Sequence, residues 1–584
     1  MKNLSFLDCE WVEVPYDVQK KETIKDAYDL DDITSKILSQ KDLELHEIED
    51  FLNPTLKKLL PDPSSFQDMD KVAELLANFI EQKKTVGILA DFDVDGATSA
   101  ATLVRFFNHF GVATFIHIPD RFSEGYGPNL SALEGLKAKG ADVILVLDCG
   151  TTNIDLFNEF SSVPVVIIDH HASPQVLPNV FGLINPHRFD EVTEIKNLCT
   201  VGLCFLVIVA LNRVLKKRDF YEAGDIQEPN LMSFLDLVAL GTVCDMMTLL
   251  GVNRAFVVQG LKILNQQQNL GLKILAETAG VTKELALYHL GFVLGPRINA
   301  GGRLGKSDLG VSLLTETLDP EVRSIASHLD HLNQERQVTE EGMLALAVSK
   351  VEAREADTPL IVIGEESFHQ GVIGIIAGRL KERYQKPACV ISWSEGVGKG
   401  SARSISNFHI GNLFHEAVEL KILEKGGGHA AAGGFTVLKE NLQRFEEFLR
   451  ERFVETFGTE ILTKKSYYHA ILDINGITLD AVKSLERLGP FGMGNPTPKI
   501  KIPSAYISHA ALLKGGHMRL RLTNKKGKYL NAMLFRSLNT PFEKLLSTSP
   551  DVALEFLGSL QVDDYDPSNI KPKLMIDDVR FSVL

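Results

Sequence analysis

Residues 86–96 read Val-Gly-Ile-Leu-Ala-Asp-Phe-Asp-Val-Asp-Gly. An apolar run, Val86 to Leu89, stops at three alternating aspartates, and a helical pattern follows from Ala97 to Phe110. This places carboxylates at a strand-to-helix turn, the usual ligand position at the carboxyl edge of a parallel α/β sheet. Moving outward, Val143 to Leu147 leads into Leu-Asp-Cys-Gly at 147–150, and Val165 to Ile168 leads into Ile-Asp-His-His at 168–171. Both are short β-branched runs of the kind that form buried parallel strands. A fourth block, Thr-Val-Cys-Asp at 242–245, reads as another strand end. The blocks together predict a doubly wound sheet that delivers carboxylates to one edge.

Carboxylates sharing a site push one another toward protonation unless a cation intervenes. Oxygen ligands with one or two imidazoles and no thiolate cluster suit Mn²⁺ or Mg²⁺ better than structural zinc. Two such ions activate water and stabilise the leaving oxygen of a phosphate ester, so the blocks read as a two-metal hydrolase site. For any single aspartate the competing role is a helix N-cap or turn residue, and for Asp91 the two readings are balanced.

Glycine-rich segments elsewhere suit phosphate binding. In Gly426-Gly427-Gly428-His429 the glycines permit close backbone approach and the imidazole can donate to a phosphate oxygen, although a tight turn also uses such glycines. Gly398-Lys399-Gly400-Ser401-Ala402-Arg403 offers Ser, Arg and freed backbone amides. Arg121 follows the strand Thr114 to Ile118 and can project over the acidic edge, with a surface ion pair to Asp120 or Glu124 as its alternative. Arg297 and Arg303 read as part of a glycine-rich turn, positioned either to meet a nucleic-acid backbone or to brace two domains.

The Asp169-His170-His171 triplet, with the other blocks in this order and spacing, resembles the DHH phosphoesterase superfamily. Within it the chain resembles the RecJ family of bacterial single-strand-specific exonucleases, from about residue 40 to the end. The signatures are Gly-Pro-Arg-Ile-Asn-Ala-Gly-Gly-Arg at 295–303, Gly-Lys-Gly-Ser-Ala-Arg-Ser at 398–404, Gly-Gly-Gly-His-Ala-Ala-Ala-Gly-Gly-Phe at 426–435 and Gly-Pro-Phe-Gly-Met-Gly-Asn-Pro at 489–496. Departures from the family pattern are small-for-small at Gly301 and Gly433, and larger in the acidic stretch Leu557 to Asp564.

The resemblance implies an α/β multidomain protein: a parallel-sheet DHH catalytic domain, a long connecting helix, a second α/β DHH-associated domain and a C-terminal β-barrel of the OB type. It implies two ions, Mn²⁺ or Mg²⁺, one on Asp93 and Asp148, the other on Asp95, Asp148, His170 and Asp245. Asp91 is then a further ligand or a hydrogen-bond acceptor behind one. Asp169 orients its neighbours, and His171 faces the scissile phosphate as electrostatic stabiliser or proton donor. Ser401 and Arg403, with Gly428, His429, Arg121, Arg297 and Arg303, would hold the strand, the first two at its terminal 5′-phosphate. The implied activity is 5′→3′ release of 5′-mononucleotides from single-stranded DNA, in recombination and mismatch repair, with a helicase and a single-strand-binding protein as partners. A DHH phosphodiesterase for short oligonucleotides or cyclic dinucleotides is the alternative; it shares the acidic blocks but has no need of a barrel.

Composition fits this picture. A chain of 584 residues is too long for one core. The expected division is a leader at 1–65 ending at Leu60-Pro61-Asp62-Pro63, a catalytic domain at 66–320, a connecting helix at 321–356, a second α/β domain at 357–460 and a barrel at 465–584. In the barrel, Tyr506, Tyr529 and Phe535 either stack on bases or fill its core. No run is long enough to span a membrane and Met1 to Glu10 lacks a signal-peptide pattern, so a cytoplasmic protein is expected. The six cysteines form no Cys-x-x-Cys pair and read as free buried thiols. The absence of a heptad seam favours a monomer. With 61 basic and 76 acidic residues the net charge is −15, unlike a generic nucleic-acid binder, which requires any cationic groove to be narrow and local.

Overall fold

The computed structural model describes residues 5–223, 226–353, 358–458, 464–538, 540–563 and 569–582. The expected helix end at Ala356, the boundaries at 357 and 460, and Asp564 lie outside them.

The catalytic sheet has five parallel strands in the order Thr114–His117, Val86–Ala90, Val143–Leu147, Val165–Ile168, Gly182–Ile184. Alternation sends Val143, Leu145 and Leu147 into a large core under the helices Met69–Glu81, Val94–His109 and Thr200–Lys217. Ile144 and Val146 enter a smaller core on the opposite face, beneath Leu130–Ala138 and Ile154–Glu159. A strand buried on both faces needs a continuous apolar run, and these runs have that character. Gly96 lies where the Val94–His109 helix meets the sheet edge: a Cβ there would sit 2.2 Å from the Asp91 carbonyl oxygen.

Two local expectations are corrected. The fourth acidic block ends a helix, Leu235–Cys244, with Asp245 as its C-cap, so only three of the blocks are strand ends. The sequence Leu-Asp-Leu-Val-Ala-Leu-Gly-Thr-Val-Cys is apolar on every side, which suits a buried helix as well as a buried strand. Likewise Arg297 and Arg303 lie on the helix Gly295–Leu304, not in a turn.

The helix Asp319–Glu352 joins the two α/β units. Its first half buries Val322, Ala326 and Leu329 in the catalytic core, and its second half gives Met343 and Ala347 to the next. The second sheet runs Lys425–Gly428, Ala432–Leu438, Val397–Arg403, Ala388–Ser394, Ile361–Glu365. The C-terminal strands form a six-stranded sheet in which Ile500–Leu513 pairs with both His517–Thr523 and Leu554–Asp563, closing a barrel.

The amino-terminal segment is structurally part of this last unit. Its strand Cys9–Glu13 pairs in parallel with Lys464–Tyr468, and Ile24, Leu30, Ile37, Leu38, Ile48 and Phe51 join the barrel's hydrophobic core. Every cysteine is free, and five of the six are buried. Among the described residues no helix is long and apolar enough to cross a membrane.

Candidate active site

The acidic edge is built from backbone geometry first. Asp93 caps the Val94–His109 helix, its Oδ1 accepting from the Asp95 and Gly96 amides at 2.9 and 3.1 Å. Asp95, in the first turn of that helix, accepts from Thr200 N–H (2.7 Å) and Val201 N–H (2.9 Å), so it sits on the positive end of the Thr200–Lys217 helix. Asp148 stands at the tip of its strand with φ +61, a left-handed conformation rare for a non-glycine residue, and its Oδ1 accepts from the Thr200 hydroxyl at 3.0 Å. Strain of this kind persists only where the surroundings hold it.

These groups converge on His170. Its Nε2 lies 3.4 Å from Asp148 Oδ1, 3.4 Å from Asp245 Oδ2 and 3.9 Å from Asp95 Oδ2. Three clusters share one pocket: Asp91, Asp93 and Asp148; Asp95, His170 and Asp245; Asp148, His170 and His171. Burial and then the charge of Asp95 raise Asp148 well above the usual carboxylate range, and burial and then Asp93 do the same for Asp91. Burial, with Asp95 and Asp93, pushes Asp245 up to about 9. Asp91 Oδ1, His170 Nε2 and Asp245 Oδ2 are buried without a hydrogen-bond partner. Unpartnered buried acceptors crowded together, carboxylate oxygens beside an imidazole nitrogen, are the donor set a hard divalent cation satisfies. Burial and the neighbouring His171 hold His170 down to about 3, so its imidazole is neutral and its lone pair available.

Asp169 does different work. Its Oδ1 accepts from His170 N–H (2.8 Å), His171 N–H (3.1 Å) and His171 Nδ1 (2.7 Å), while Oδ2 takes Thr151 N–H and Oγ1–H at 3.1 and 2.6 Å. Burial opposes ionisation of Asp169, but the His171 contacts outweigh it and the carboxyl is held below its ordinary value. Burial pulls His171 down and the Asp169 bond and charge more than reverse this, raising it to about 9. Asn185, fully buried, donates to Thr151 Oγ1 and to the His171 carbonyl, locking the arrangement from behind.

Opposite this edge lies a cleft of about 1170 Å³ between the two α/β units, lined by Arg121, Arg303, Ser401 and Arg403 together with Lys399 and Gly426. Burial and then Arg121 lower Arg403, and burial, Arg121, Arg336 and Arg403 lower Arg303 to about 10. Such crowding of cations is relieved by a bound anion. The His429 ring faces that of His171 at 6.2 Å, so the glycine loop of the second unit closes directly over the acidic edge. Gly428 has φ +147 and its neighbours Gly426 and Gly427 line the cleft.

Two expectations change here. The 398–403 segment is an interior strand, paired to Ala388–Ser394 and to Ala432–Leu438, so its amides are spent in the sheet, and the cleft is reached by Lys399, Ser401 and Arg403 with the Gly400 backbone between them. Arg297 is not brought to the cleft: its Nε meets Asp330 Oδ1 at 2.8 Å and its Nη1 the Val293 carbonyl, bracing the Gly295–Leu304 helix against the long connecting helix. Sequence reasoning missed Thr151, Asn185 and Thr200, whose roles arise from hydrogen bonds across the sheet edge. It also passed over Tyr126, whose hydroxyl donates to the Asp148 carbonyl at 3.2 Å and lies 3.4 Å from His171 Nε2.

Models of three families match in succession: the DHH family N-terminal domain at 85–242, the DHHA1 domain at 347–455 and the RecJ OB domain at 468–578. The single-stranded-DNA-specific exonuclease RecJ of Haemophilus influenzae is 30% identical over 502 residues, covering 84% of this chain and 87% of that protein. The chain belongs to the RecJ family. RecJ of Escherichia coli is 33% identical over 459 residues, 76% of this chain and 79% of its own length. Against RecJ of Bacillus subtilis the identity is 30% over 529 residues, but the match spans only 64% of that longer protein. Among solved structures, RecJ in complex with Mn²⁺ from Thermus thermophilus shares the fold at TM-score 0.80 and 24% identity, covering 98% of this chain and 80% of that one. An exonuclease RecJ bound to manganese matches at TM-score 0.57 and 29% identity, covering 69% and 97%.

Proposed function

We propose that this chain is a metal-dependent, single-stranded-DNA-specific 5′→3′ exonuclease that releases 5′-mononucleotides. The observation that carries the reading is the apposition of a crowded, under-satisfied carboxylate–histidine edge and a cleft lined by Arg121, Arg303 and Arg403, of which Arg121 and Arg303 feel the charge of that edge through Asp93. Membership of the RecJ family, whose named members act on single-stranded DNA, supplies the substrate class.

In this reading Asp91, Asp93 and Asp148 would hold one ion, and Asp95, Asp148, His170 and Asp245 would hold the other. Two Mn²⁺ or Mg²⁺ ions, when bound, supply an activated water and stabilise the leaving oxygen. Asp169 fixes the His171 ring so that Nδ1 is engaged and Nε2 faces the substrate, where it stabilises charge or delivers a proton to the leaving oxygen. Ser401, Arg403 and Arg303 take the terminal 5′-phosphate and Arg121 the next backbone oxygens, which sets the polarity because only a 5′ end then lays its first phosphodiester over the acidic edge. His429 closes that end of the site. A cytoplasmic monomer working in repair and recombination beside a helicase and a single-strand-binding protein is the wider setting this activity suits.

The test is mononucleotide release with Mn²⁺ or Mg²⁺ from 5′-labelled single strands, 3′-labelled single strands and blunt duplex, with Asp148→Ala as control. Early loss of the 5′ label from single strands alone, absent in the control, is expected. Equal loss at both ends, or turnover of only very short oligomers, would instead favour a small-phosphodiester hydrolase with the same metal site.

A further inference from the structure

The segment Gly489 to Asn495 lines no part of the cleft, yet it is tied to two distant parts of the chain, the amino-terminal segment and the start of the Gly251–Leu264 helix. Arg254, only 1% exposed, reaches it from the helix Gly251–Leu264: Nη2 donates to the carbonyls of Leu488 (3.2 Å) and Gly489, Nη1 to that of Pro490 (3.5 Å), and Nε to Phe51 O at 2.7 Å. Asn495, fully buried, donates to the carbonyls of Leu488 and Pro490 at 2.9 Å each, and its Oδ1 accepts from Lys41 Nζ at 2.6 Å. The catalytic unit, the amino-terminal segment and the barrel therefore meet in one buried polar knot.

The other side of the same segment grips the chain just after Asp245. Leu249 N–H donates to the Met493 carbonyl at 2.8 Å. A Cβ on Gly492 would lie 2.8 Å from Leu249 Cδ1, and one on Gly494, where φ is +71, would lie 3.0 Å from Thr248 Cβ. The gripped corner needs holding. The helix before it ends with Met246 in the left-handed region (φ +56), and Met246 and Met247 donate back to Val243 and Thr242 in a Schellman closure usually made by glycine. A side chain there costs energy that surrounding contacts must offset. Asp245 is the hinge of this corner, and its Oδ2 has no hydrogen-bond partner of its own to fix it.

We infer that the Arg254–Asn495 knot is a positioning device for the metal centre: by clamping Thr248 and Leu249 onto the 489–495 segment it sets the direction of the Asp245 carboxylate. Metal binding by the catalytic unit thus depends on correct docking of the barrel and the amino-terminal segment. This rests on the reading of Asp245 as a ligand.

The experiment measures Mn²⁺ binding calorimetrically on the full chain, beside thermal unfolding and steady-state kinetics on a short single strand, for Asn495→Ala, Gly494→Ala and Asp245→Asn. Asn495→Ala and Gly494→Ala are expected to weaken Mn²⁺ binding about 10- to 100-fold, the size of effect seen when a ligand's supporting contacts are lost. KM for the strand should stay unchanged, and excess Mn²⁺ should restore much of kcat. If Asp245→Asn weakens the ion and the two folded variants bind it like the parent, the clamp is structural only and the inference falls. If Asp245→Asn leaves Mn²⁺ binding intact, the ligand reading itself falls. Should Asn495→Ala not fold, Gly494→Ala, which adds one methyl group, decides.

Discussion

Thr151 is the residue on which the orientation of His171 turns. It gives both its amide and its hydroxyl to Asp169 Oδ2, leaving Asp169 Oδ1 for His171. Thr151→Val keeps shape and amide but removes the 2.6 Å hydroxyl bond, and kcat is expected to fall about 10- to 100-fold while Tm changes little, measured on a single-stranded substrate. Thr151→Ser should recover most of the loss. The same pair sets a pH dependence. His171 is raised to about 9 by Asp169, so its proton is present below that value and is lost as pH rises through it. Bound cations oppose a further positive charge and move the transition lower. The alkaline limb of kcat/KM is therefore expected at or below about 9, and Asp169→Asn, which removes the anion that raises His171, should shift it further toward neutrality. A limb unmoved by Asp169→Asn would remove His171 from the proton inventory. None of this was visible in the linear chain beyond the triplet itself. A threonine eighteen positions from its partner carries no local signal, whereas the aspartates announced themselves by ending apolar runs.

Secondary elements divide by how well their pattern constrains them. The three catalytic strands that end in acid were legible because β-branched runs of four or five residues between polar turns have few other uses. Leu235–Cys244 was not, since uniform hydrophobicity carries no period to separate a helix from a strand. The glycines of the Gly295–Leu304 helix resemble those of a turn; their reason is close packing, a Cβ on Gly302 falling 2.9 Å from the Phe92 carbonyl oxygen. On the barrel, alternation put Arg519 and Arg521 outward, with Arg521 over the Tyr529 ring at 4.2 Å, Lys525 over Tyr506 at 4.1 Å, and Phe535 58% exposed. Tyr529 and Phe535 are thus surface residues and not part of the barrel's core, while Tyr506 is half-buried. Tyr529→Ala is expected to cost about 1–3 kcal/mol in affinity for a long single strand while turnover of a short oligomer is retained, a difference that strand-length series in a binding titration would read.

At the scale of the molecule, a net charge of −15 and an arginine cleft coexist because the cleft is local. A single strand that neutralises its phosphates on Arg121, Arg303 and Arg403 should show a salt slope of about −0.7 per contact, hence about −2 from these three. Arg303→Ala should reduce that slope by one contact in a salt titration of binding, and an unaltered slope would show that the strand runs elsewhere. The long helix Asp319–Glu352, with one end in each core, holds the two halves of the cleft at a fixed spacing. What the sequence could not disclose is the partnership of its two ends. No pattern in Cys9–Glu13 points to Lys464–Tyr468, because strand pairing at that separation leaves no periodic trace. That pairing has a consequence for how the protein is made. Trp11 and Ile24 are buried against strands several hundred positions further along the chain, so in a newborn chain they stay exposed to water until those downstream strands have been made. Until then the chain must keep these apolar side chains from sticking to anything else.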